Sequence, residues 1–295
     1  MAEAGPEGVL LLDKPEGPTS HDMVARVRRA LGTRRVGHTG TLDPFASGLL
    51  LLCVGRATRI AEYLSGLPKT YTATARLGQS TDTLDATGAV VSRSDAWRGL
   101  ESRQVVAAFR ALEGDIQQVP PAFSAKKVAG ERLYRRARRG EQVQVDAVPV
   151  TVHSMAVRAV SLPEVTFEVE CSSGTYVRAL ARDAGESLGV GAHLVRLRRT
   201  RVGRHDVTDA VPADALDDAA AVARAWLDPL DALSHLPRVE VDAAGAGELG
   251  HGRTLPAPPG LAEDALAVVA HAGQLLAMGS VAEGRLRPRK VFVHG

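Results

Sequence analysis

Residues 37–54 read GHTGTLDPFASGLLLLCV, a glycine-punctuated loop that runs straight into an unbroken apolar segment. The apolar run at 49–54 is typical of a buried strand, and the loop before it carries a single carboxylate, Asp43. A loop that enters a core strand holds its side chains in fixed positions, as a reacting group requires. The stretch therefore predicts either a reactive carboxylate or, as in many Asp-Pro pairs, a turn-forming aspartate.

Outward from this loop, strands and helices follow one another without regular alternation. Apolar residues in continuous or alternating patterns predict strands at 8–12, 49–54, 69–77 and 165–171. Helical spacing predicts helices from Thr19 or Ser20 to Gly32, from 56 to 65, from Ser102 as the capping residue, and from near Thr175 to Leu188. Such a mixture favours an α+β fold over a doubly wound one.

Two changes in composition divide the chain. The segment 120–149 is polar, basic and flanked by prolines, which predicts an insertion arm on the sheet domain. An aspartate-rich stretch ends near 228–237, and the residues after it carry glycine turns and short strands at 266–269 and 291–293. We therefore predict a large domain over residues 1–233 and a small β-rich domain over residues 234–295.

Composition narrows the class of protein. The chain has 295 residues, 45% of them apolar, which is enough for a sizeable core. No apolar run approaches the roughly 18 residues of a membrane helix, and the N-terminus lacks the basic start of a signal peptide. We expect a cytoplasmic protein without membrane contact.

The sequence offers no disulfide framework and no metal site. Cys53 and Cys171 are too few for a disulfide framework or a zinc site, and Asp82 and Asp85 read as turn and capping residues. No metal is expected.

Positive charge is concentrated locally, although the formal net charge is only +2. Seven Lys or Arg residues lie between positions 126 and 141 beside two glutamates, and five arginines lie between 193 and 204 without an acid. Clustered cations suit a polyanion such as a nucleic acid, because each neutralised phosphate releases counterions. A solvated basic face is the alternative, and charge alone leaves both interpretations open.

An ordered set of motifs carries a family resemblance. The set comprises Lys14-Pro15 with Gly17, Thr19 and Ser20, then Gly37–Pro44, Tyr71, Leu77-Gly78 with Thr81, Asp82, Thr83 and Asp85, Cys171–Arg178, and Ala192–Arg199. Between about residues 8 and 203, the order and spacing resemble those of the TruB family of tRNA pseudouridine synthases. The resemblance implies the pseudouridine synthase fold, with a mixed, largely antiparallel central sheet flanked by helices. It also implies a small PUA-like RNA-binding domain at the C-terminus.

The resemblance implies a cofactor-free isomerase with three catalytic residues. Asp43 corresponds to the essential carboxylate of the family, Tyr71 to its active-site tyrosine and Arg178 to the partner of the carboxylate. Whether Asp43 attacks the sugar carbon, attacks the base or removes a ribose proton stays open, and each path requires an ionised carboxylate. We expect Arg178 to keep the pKa of Asp43 low.

The resemblance also implies an RNA substrate, the uridine at position 55 in the T-loop of tRNA, which must be flipped out of its stack. The implied substrate-binding residues are His38, Thr41, Leu197, Lys14, Arg56, Arg59 and Lys127. The arm departs from the family pattern, with Phe123 and Lys126 where a tyrosine and a leucine are usual. We expect a monomer that needs no guide RNA and no obligatory protein partner. The alternative is a tRNA-binding RNA chaperone whose role does not depend on catalysis.

Overall fold

The computed structural model describes residues 6–123, 127–128, 131–132, 139 and 145–292. Its strands are β1 Gly8–Lys14, β2 Val36–His38, β3 Ser47–Val54, β4 Lys69–Leu77, β5 Gln79–Thr81, β6 Val90–Arg93, β7 Gly114–Gln118, β8 Lys127–Val128, β9 Glu131–Arg132, β10 Val148–Ser161, β11 Glu164–Cys171, β12 Ala192–Val202, β13 His205–Asp206, β14 Val211–Pro212, β15 Trp226–Leu227, β16 Arg238–Glu240, β17 Leu255–Pro256, β18 Leu266–His271, β19 Gln274–Ala282 and β20 Arg285–Val291. Its helices are α1 Ser20–Ala30, α2 Ala61–Ser65, α3 Ser102–Arg110, α4 Val177–Ser187, α5 Ala219–Arg224, α6 Pro229–Ala232 and α7 Ala243–Gly250, with 3-10 turns at Gly55–Ile60, Ala96–Gly99 and Val207–Asp209.

The main sheet has 11 strands, and its central path runs in the order β14-β1-β3-β12-β4-β11-β10-β7. Strand β12 pairs in parallel with β3, and β14 pairs in parallel with β1. The pairs β1–β3, β12–β4, β4–β11, β11–β10 and β10–β7 are antiparallel. The predicted mixed, largely antiparallel sheet is confirmed.

The apolar run that follows the Asp43 loop forms the centre of this sheet. Residues Leu49–Val54 of β3 are fully buried between β1 and β12, which explains a continuous rather than an alternating apolar pattern. In β4 the predicted inward residues Tyr71, Ala73, Ala75 and Leu77 are buried in a second apolar cluster. The two clusters hold β3 and β4 on either side of β12, and this arrangement positions the site.

Most predicted helices are present, with two corrections. Helix α1 begins after Thr19, which caps it together with Asp22, and α4 lies within the predicted range. The cap of α3 is Glu101 with Gln104, not Ser102, because Glu101 is the extended residue before the helix. The predicted helix at 56–65 is a 3-10 turn followed by the short α2, and the Thr58 hydroxyl tightens the turn by donating to the Gly55 carbonyl. None of the described helices is long and apolar enough to cross a membrane.

The C-terminal residues form a separate five-stranded sheet in the order β16-β18-β19-β20-β17. Its first strand begins at Arg238, and the predicted α+β class with a β-rich C-terminal part is confirmed. One face of this sheet shares an apolar cluster with the main sheet, in which Val268, Met278 and Phe292 join Leu64. The boundary at 233 and the PUA-like character stay predictions, and the predicted arm at 120–149 lies largely outside the described residues.

Candidate active site

A cleft of about 240 Å³ opens where the Asp43 loop, the start of β4, the middle of β12 and the turn before α4 meet. It is lined by residues 39–43, Ser65, Lys69, Tyr71, residues 172–178, Leu197 and Arg199. The predicted residues Thr41, Asp43, Tyr71, Arg178 and Leu197 therefore come together in one place. Folding brings them there from four separate segments of the sequence.

Neighbouring side chains hold the loop that carries Asp43. The Ser20 hydroxyl, at the start of α1, donates to the Leu42 carbonyl at 3.0 Å and accepts from the Leu42 N–H at 2.8 Å. The Lys14 ammonium donates to the Ala46 carbonyl at 2.7 Å. These contacts lie on both sides of Asp43, so the position of its carboxylate is set before any ligand arrives.

Lys14 does not occupy a place where it can meet a phosphate. Its side chain is completely buried, and its ammonium donates to the carbonyls of Pro15, Pro44 and Ala46. Burial lowers the pKa of Lys14 to about 8, while the nearby Asp43 opposes this shift. These contacts give the predicted phosphate contact no support, because the ammonium is engaged with three carbonyls.

Asp43 is paired with Arg178, as the resemblance implies. The Arg178 Nε lies 2.9 Å from the Asp43 Oδ2, and the Arg178 side chain is only 4% exposed. The other guanidinium nitrogens donate to the Thr83 carbonyl at 2.6 Å and the Phe123 carbonyl at 3.0 Å. Because these bonds fix the plane of the guanidinium, Nε has one direction in which to hold the carboxylate.

Asp85 adds a second carboxylate to this pair. Its Oδ2 lies 3.5 Å from the Arg178 Nη1, and its Oδ1 accepts from the Thr83 hydroxyl and from the backbone and hydroxyl of Thr87. The hydrogen bonds of Oδ1 agree with the interpretation of Asp85 as a turn residue. Its second role, the pairing of Oδ2 with Arg178, depends on a tertiary contact between the β5–β6 loop and α4, which sequence spacing does not reveal.

The pKa of Asp43 differs from the expected low value. Burial raises the pKa of this carboxyl above its ordinary value, Arg178 opposes the rise, and the charge of Asp85 adds to it. The expectation of a lowered pKa is wrong, because Arg178 shares its charge with Asp85 and does not offset the burial. The side chain of Asp43 is still 36% exposed, and this open side faces the cleft.

We expect the acid limb of kcat/KM to lie above pH 3.8, the ordinary pKa of an aspartate. The reaction needs the ionised carboxylate, and a raised pKa means that protonation begins at a higher pH as the solution is acidified. Asp85→Asn removes a repelling charge, so the limb should move to lower pH. Asp82→Asn, at an exposed position of the same loop, is the matched control. A limb that stays in place in Asp85→Asn would contradict the assignment to Asp43.

Tyr71 and Leu197 form the apolar wall of the cleft. Tyr71 is buried on β4, and Leu197 is buried on the neighbouring β12. Burial raises the pKa of Tyr71, and the adjacent guanidinium of Arg199 opposes the rise. The phenol of Tyr71 is therefore neutral, and its side chain lines the cleft.

His38 lies near the cleft but does not line it. It ends β2 and pairs with Leu52 of β3, and its Nδ1 is buried without a hydrogen-bond partner among the described residues. Burial lowers the pKa of His38, and the charge of Arg199 lowers it further. The predicted substrate contact through His38 stays a prediction, since the ring is not among the residues that line the cleft.

The predicted phosphate contacts Arg56 and Arg59 have partners within the chain. Arg56 pairs with Glu7 at 2.7 Å. Arg59 donates to the Val291 carbonyl at 2.6 Å, and its guanidinium lies 4.7 Å from the centre of the Phe292 ring. Arg59 therefore joins the C-terminal sheet to the main one, and the phosphate contacts of Arg56 and Arg59 stay predictions. The side chain of Lys127 lies outside the described residues.

Sequence reasoning missed two cations that line the cleft, Lys69 and Arg199. Arg199 donates through Nε to the Leu49 carbonyl at 2.7 Å and through Nη2 to the Gly40 carbonyl at 3.2 Å. Gly48 allows β12 to approach this closely, since a Cβ there would lie 2.2 Å from the Arg199 carbonyl oxygen. The only signal was position: Arg199 lies two residues after Leu197 and therefore on the same face of its strand.

Comparison with known protein families agrees with this site. Residues 28–177 match the N-terminal domain of the TruB family pseudouridylate synthases, and residues 178–235 match the tRNA pseudouridylate synthase B C-terminal domain. The chain belongs to the TruB family. The second match begins within α4 and includes β12, so both matched segments of this TruB-family chain contribute strands to the main sheet.

Individual relatives and solved structures also indicate a pseudouridine synthase. Proteins named tRNA pseudouridine synthase B from Burkholderia lata and an Arthrobacter species are 47% and 45% identical to the chain over 97% of it, and the matches cover 90% and 96% of those proteins. A chain in the structure of an H/ACA RNP bound to a substrate RNA containing 2'-deoxyuridine superposes with a TM-score of 0.75 at 25% identity, covering 97% of this chain and 85% of that one. The archaeal box H/ACA sRNP Nop10-Cbf5 complex gives a TM-score of 0.74 at 25% identity, with 98% and 87% covered. The TruB-family chain is therefore an enzyme, an isomerase of the pseudouridine synthase class.

Proposed function

We propose that the chain converts the uridine at position 55, in the T-loop of tRNA, to pseudouridine. The names of its relatives support tRNA as the substrate. The observation that carries the catalytic part is the Asp43–Arg178 pair, at 2.9 Å, on the wall of a cleft that also holds a buried tyrosine.

The reaction breaks the bond between ribose C1′ and uracil N1, turns the base and rejoins it through C5. Asp43 supplies the carboxylate that acts on the nucleotide, and Arg178 orients it. Attack on the sugar carbon, attack on the base and removal of a ribose proton all use the same ionised oxygen. The open side of the Asp43 side chain, directed into the cleft, supports a direct contact with the nucleotide.

The target base must leave its stack to enter the cleft. The Tyr71 ring replaces part of the lost stacking, and Leu197 packs beside it. Thr41 lies exposed at the rim, where it is placed to meet the RNA backbone. We propose base flipping on the basis of these apolar walls, whose aromatic and aliphatic side chains suit a pyrimidine ring.

We further propose that the protein acts alone, as a cytoplasmic monomer without metal, cofactor, guide RNA or protein partner. Isomerisation involves no net redox change and no energy input, so its chemistry calls for no cofactor. The structural relatives in H/ACA particles are described with RNA or protein partners. In contrast, the relatives that share nearly half their residues with this chain are named tRNA pseudouridine synthase B, a name that mentions no partner.

The test is release of tritium from uracil C5. The purified protein is incubated with an unmodified tRNA transcript labelled at C5 and no other macromolecule, and stoichiometric release is expected. A transcript with cytidine at the T-loop target is the matched control and should release nothing from other positions. No release from the normal transcript would refute the proposal, and tight binding without release would support the RNA chaperone alternative.

A further inference from the structure

Two buried cations face the cleft without a carboxylate partner. Lys69 is 6% exposed and Arg199 is 2% exposed. The Lys69 ammonium donates to the carbonyls of Ser65 at 2.5 Å and Leu67 at 2.6 Å. The Arg199 guanidinium donates to the carbonyls of Leu49 and Gly40 and is hydrogen-bonded to the neutral Tyr71 phenol. In the part of the chain that the structure describes, neither side chain forms a salt bridge.

A buried charge is costly unless an opposite charge lies beside it. Arg178 in the same cleft meets this requirement with Asp43 and Asp85. Lys69 and Arg199 do not, although they are buried to a similar degree. This geometry suits a site in which the ligand brings the negative charge that pairs with Lys69 and Arg199.

The positions of Lys69 and Arg199 indicate which part of the ligand these two cations would contact. Arg199 lies directly opposite Tyr71 on paired strands, and Lys69 lies two residues before Tyr71 on β4. Directly opposed residues and residues two apart share one face of a sheet, so both cations flank the Tyr71 ring. Under the proposed function, on which this inference rests, that ring holds the uracil base.

We propose that Lys69 and Arg199 stabilise the uracil ring as an anion after the glycosidic bond breaks. When the bond between C1′ and N1 breaks, its electron pair stays on the base and spreads over N1, O2 and O4. Bond breakage leaves C1′ short of an electron pair. This deficiency is removed either by a bond from an Asp43 oxygen to C1′ or by loss of the C2′ proton to Asp43. Charge that develops beside fixed cations in a site with little water is stabilised more strongly than in bulk water.

The charge of Lys69 changes within an accessible pH range, so its effect on the rate can be measured. Burial and, to a smaller extent, the charge of Arg199 lower the pKa of Lys69 to about 8, and the Cys171 thiolate would oppose the shift. Arg199 from β12 and the Cys171 thiol from β11 are the titratable groups that face it, and burial raises the pKa of Cys171 to about 11. Lys69 therefore carries its charge below pH 8 and loses it as the pH rises through that value.

The experiment compares wild type with Lys69→Met in single-turnover tritium release and in tRNA binding. We expect the rate at pH 7 to fall about 100-fold, with the Kd for tRNA unchanged within about 3-fold. Arg76→Met removes a positive charge from an exposed position of the same strand and should change neither quantity. Thermal unfolding of each variant shows whether the fold is retained.

The pH profile separates an electrostatic role from a structural one. The kcat/KM of the wild type should fall above pH 8 and approach that of Lys69→Met, whose own profile should lose the part of this fall that belongs to Lys69 and keep only the part that belongs to Lys14, whose pKa is also about 8. Lys69→Arg keeps its charge throughout the alkaline range and should show only the fall that belongs to Lys14. Parallel losses of rate and tRNA affinity in Lys69→Met would instead assign the cations to an RNA phosphate and overturn the proposal.

The failure of this inference differs from that of the proposed function. A wild type that releases tritium beside a Lys69→Met variant that is equally fast refutes the role of the cations alone. A persistent gap between the two profiles above pH 8 refutes it as well. A wild type that releases no tritium refutes the function itself.

Discussion

An Asp43→Asn variant should release tritium from tRNA about 100- to 10,000-fold more slowly than the wild type, the range expected when a positioned acid–base or nucleophilic group is lost. Asparagine matches aspartate in shape, so the loop contacts through Ser20 and Lys14 are retained. What is removed is the charge that reacts with the nucleotide and pairs with Arg178. Single-turnover release with excess enzyme measures the chemical step directly.

Binding and a matched variant make this result specific. The Kd for tRNA should remain within about 3-fold of the wild type, because one exposed edge of a carboxylate contributes little to the binding of a polyanion. Asp82→Asn keeps an oxygen that can accept from the Ala89 N–H and lies outside the cleft, so its rate should equal that of the wild type. Equal rates for Asp43→Asn and Asp82→Asn would remove Asp43 from the mechanism.

Arg178→Met should lose activity to a similar extent while still binding tRNA. The guanidinium orients Asp43 and is bonded on its other edges to Thr83, Phe123 and Asp85, so little of it is left for a phosphate. Arg178→Lys should not recover the rate, because an ammonium cannot reproduce bonds in several directions. The measurements are single-turnover release and equilibrium binding. If tRNA affinity falls in parallel with the rate, Arg178 is a phosphate contact.

The stability of these variants checks the buried ion pair. Arg178→Met leaves Asp85, whose side chain is 6% exposed, without its counter-charge, and we expect a loss of about 3 kcal/mol in the free energy of unfolding. Adding Asp85→Asn removes the uncompensated charge and should restore most of this stability. Activity should stay low in the double variant, since Asp43 still lacks its partner. Recovery of activity together with stability would show that Arg178 is only structural.

Sequence alone predicted the elements of the fold better than their arrangement. The buried run of β3 and the alternation in β4 and β11 are local patterns, and each produced a strand where expected. The insertion of β12 between β3 and β4 depends on pairings across about 120 to 150 residues, for example Arg199 with Gly48 and with Tyr71. Nothing in the local pattern of β12 selects these partners.

At the site, too, residues within local motifs could be predicted from the sequence, whereas burial that depends on tertiary contacts could not. Asp43, Tyr71 and Arg178 lie in motifs, and the structure brings them together. The burial of Lys14 was not predicted, because a lysine beside a turn is usually solvated, whereas this one is enclosed by the loop. Arg199 was missed for the same reason, since only the paired strands show that an arginine in an arginine-rich segment is buried.

The apolar cluster shared by the two sheets has a consequence for how the protein unfolds. Because Met278 and Phe292 are buried against the same core as Leu64, neither sheet has a complete interior without the other. Denaturation should therefore be a single cooperative transition, with an m-value set by the surface of the whole chain. A chain shortened at the start of the C-terminal sheet would expose this core, so its loss of tRNA affinity would report on folding as much as on recognition.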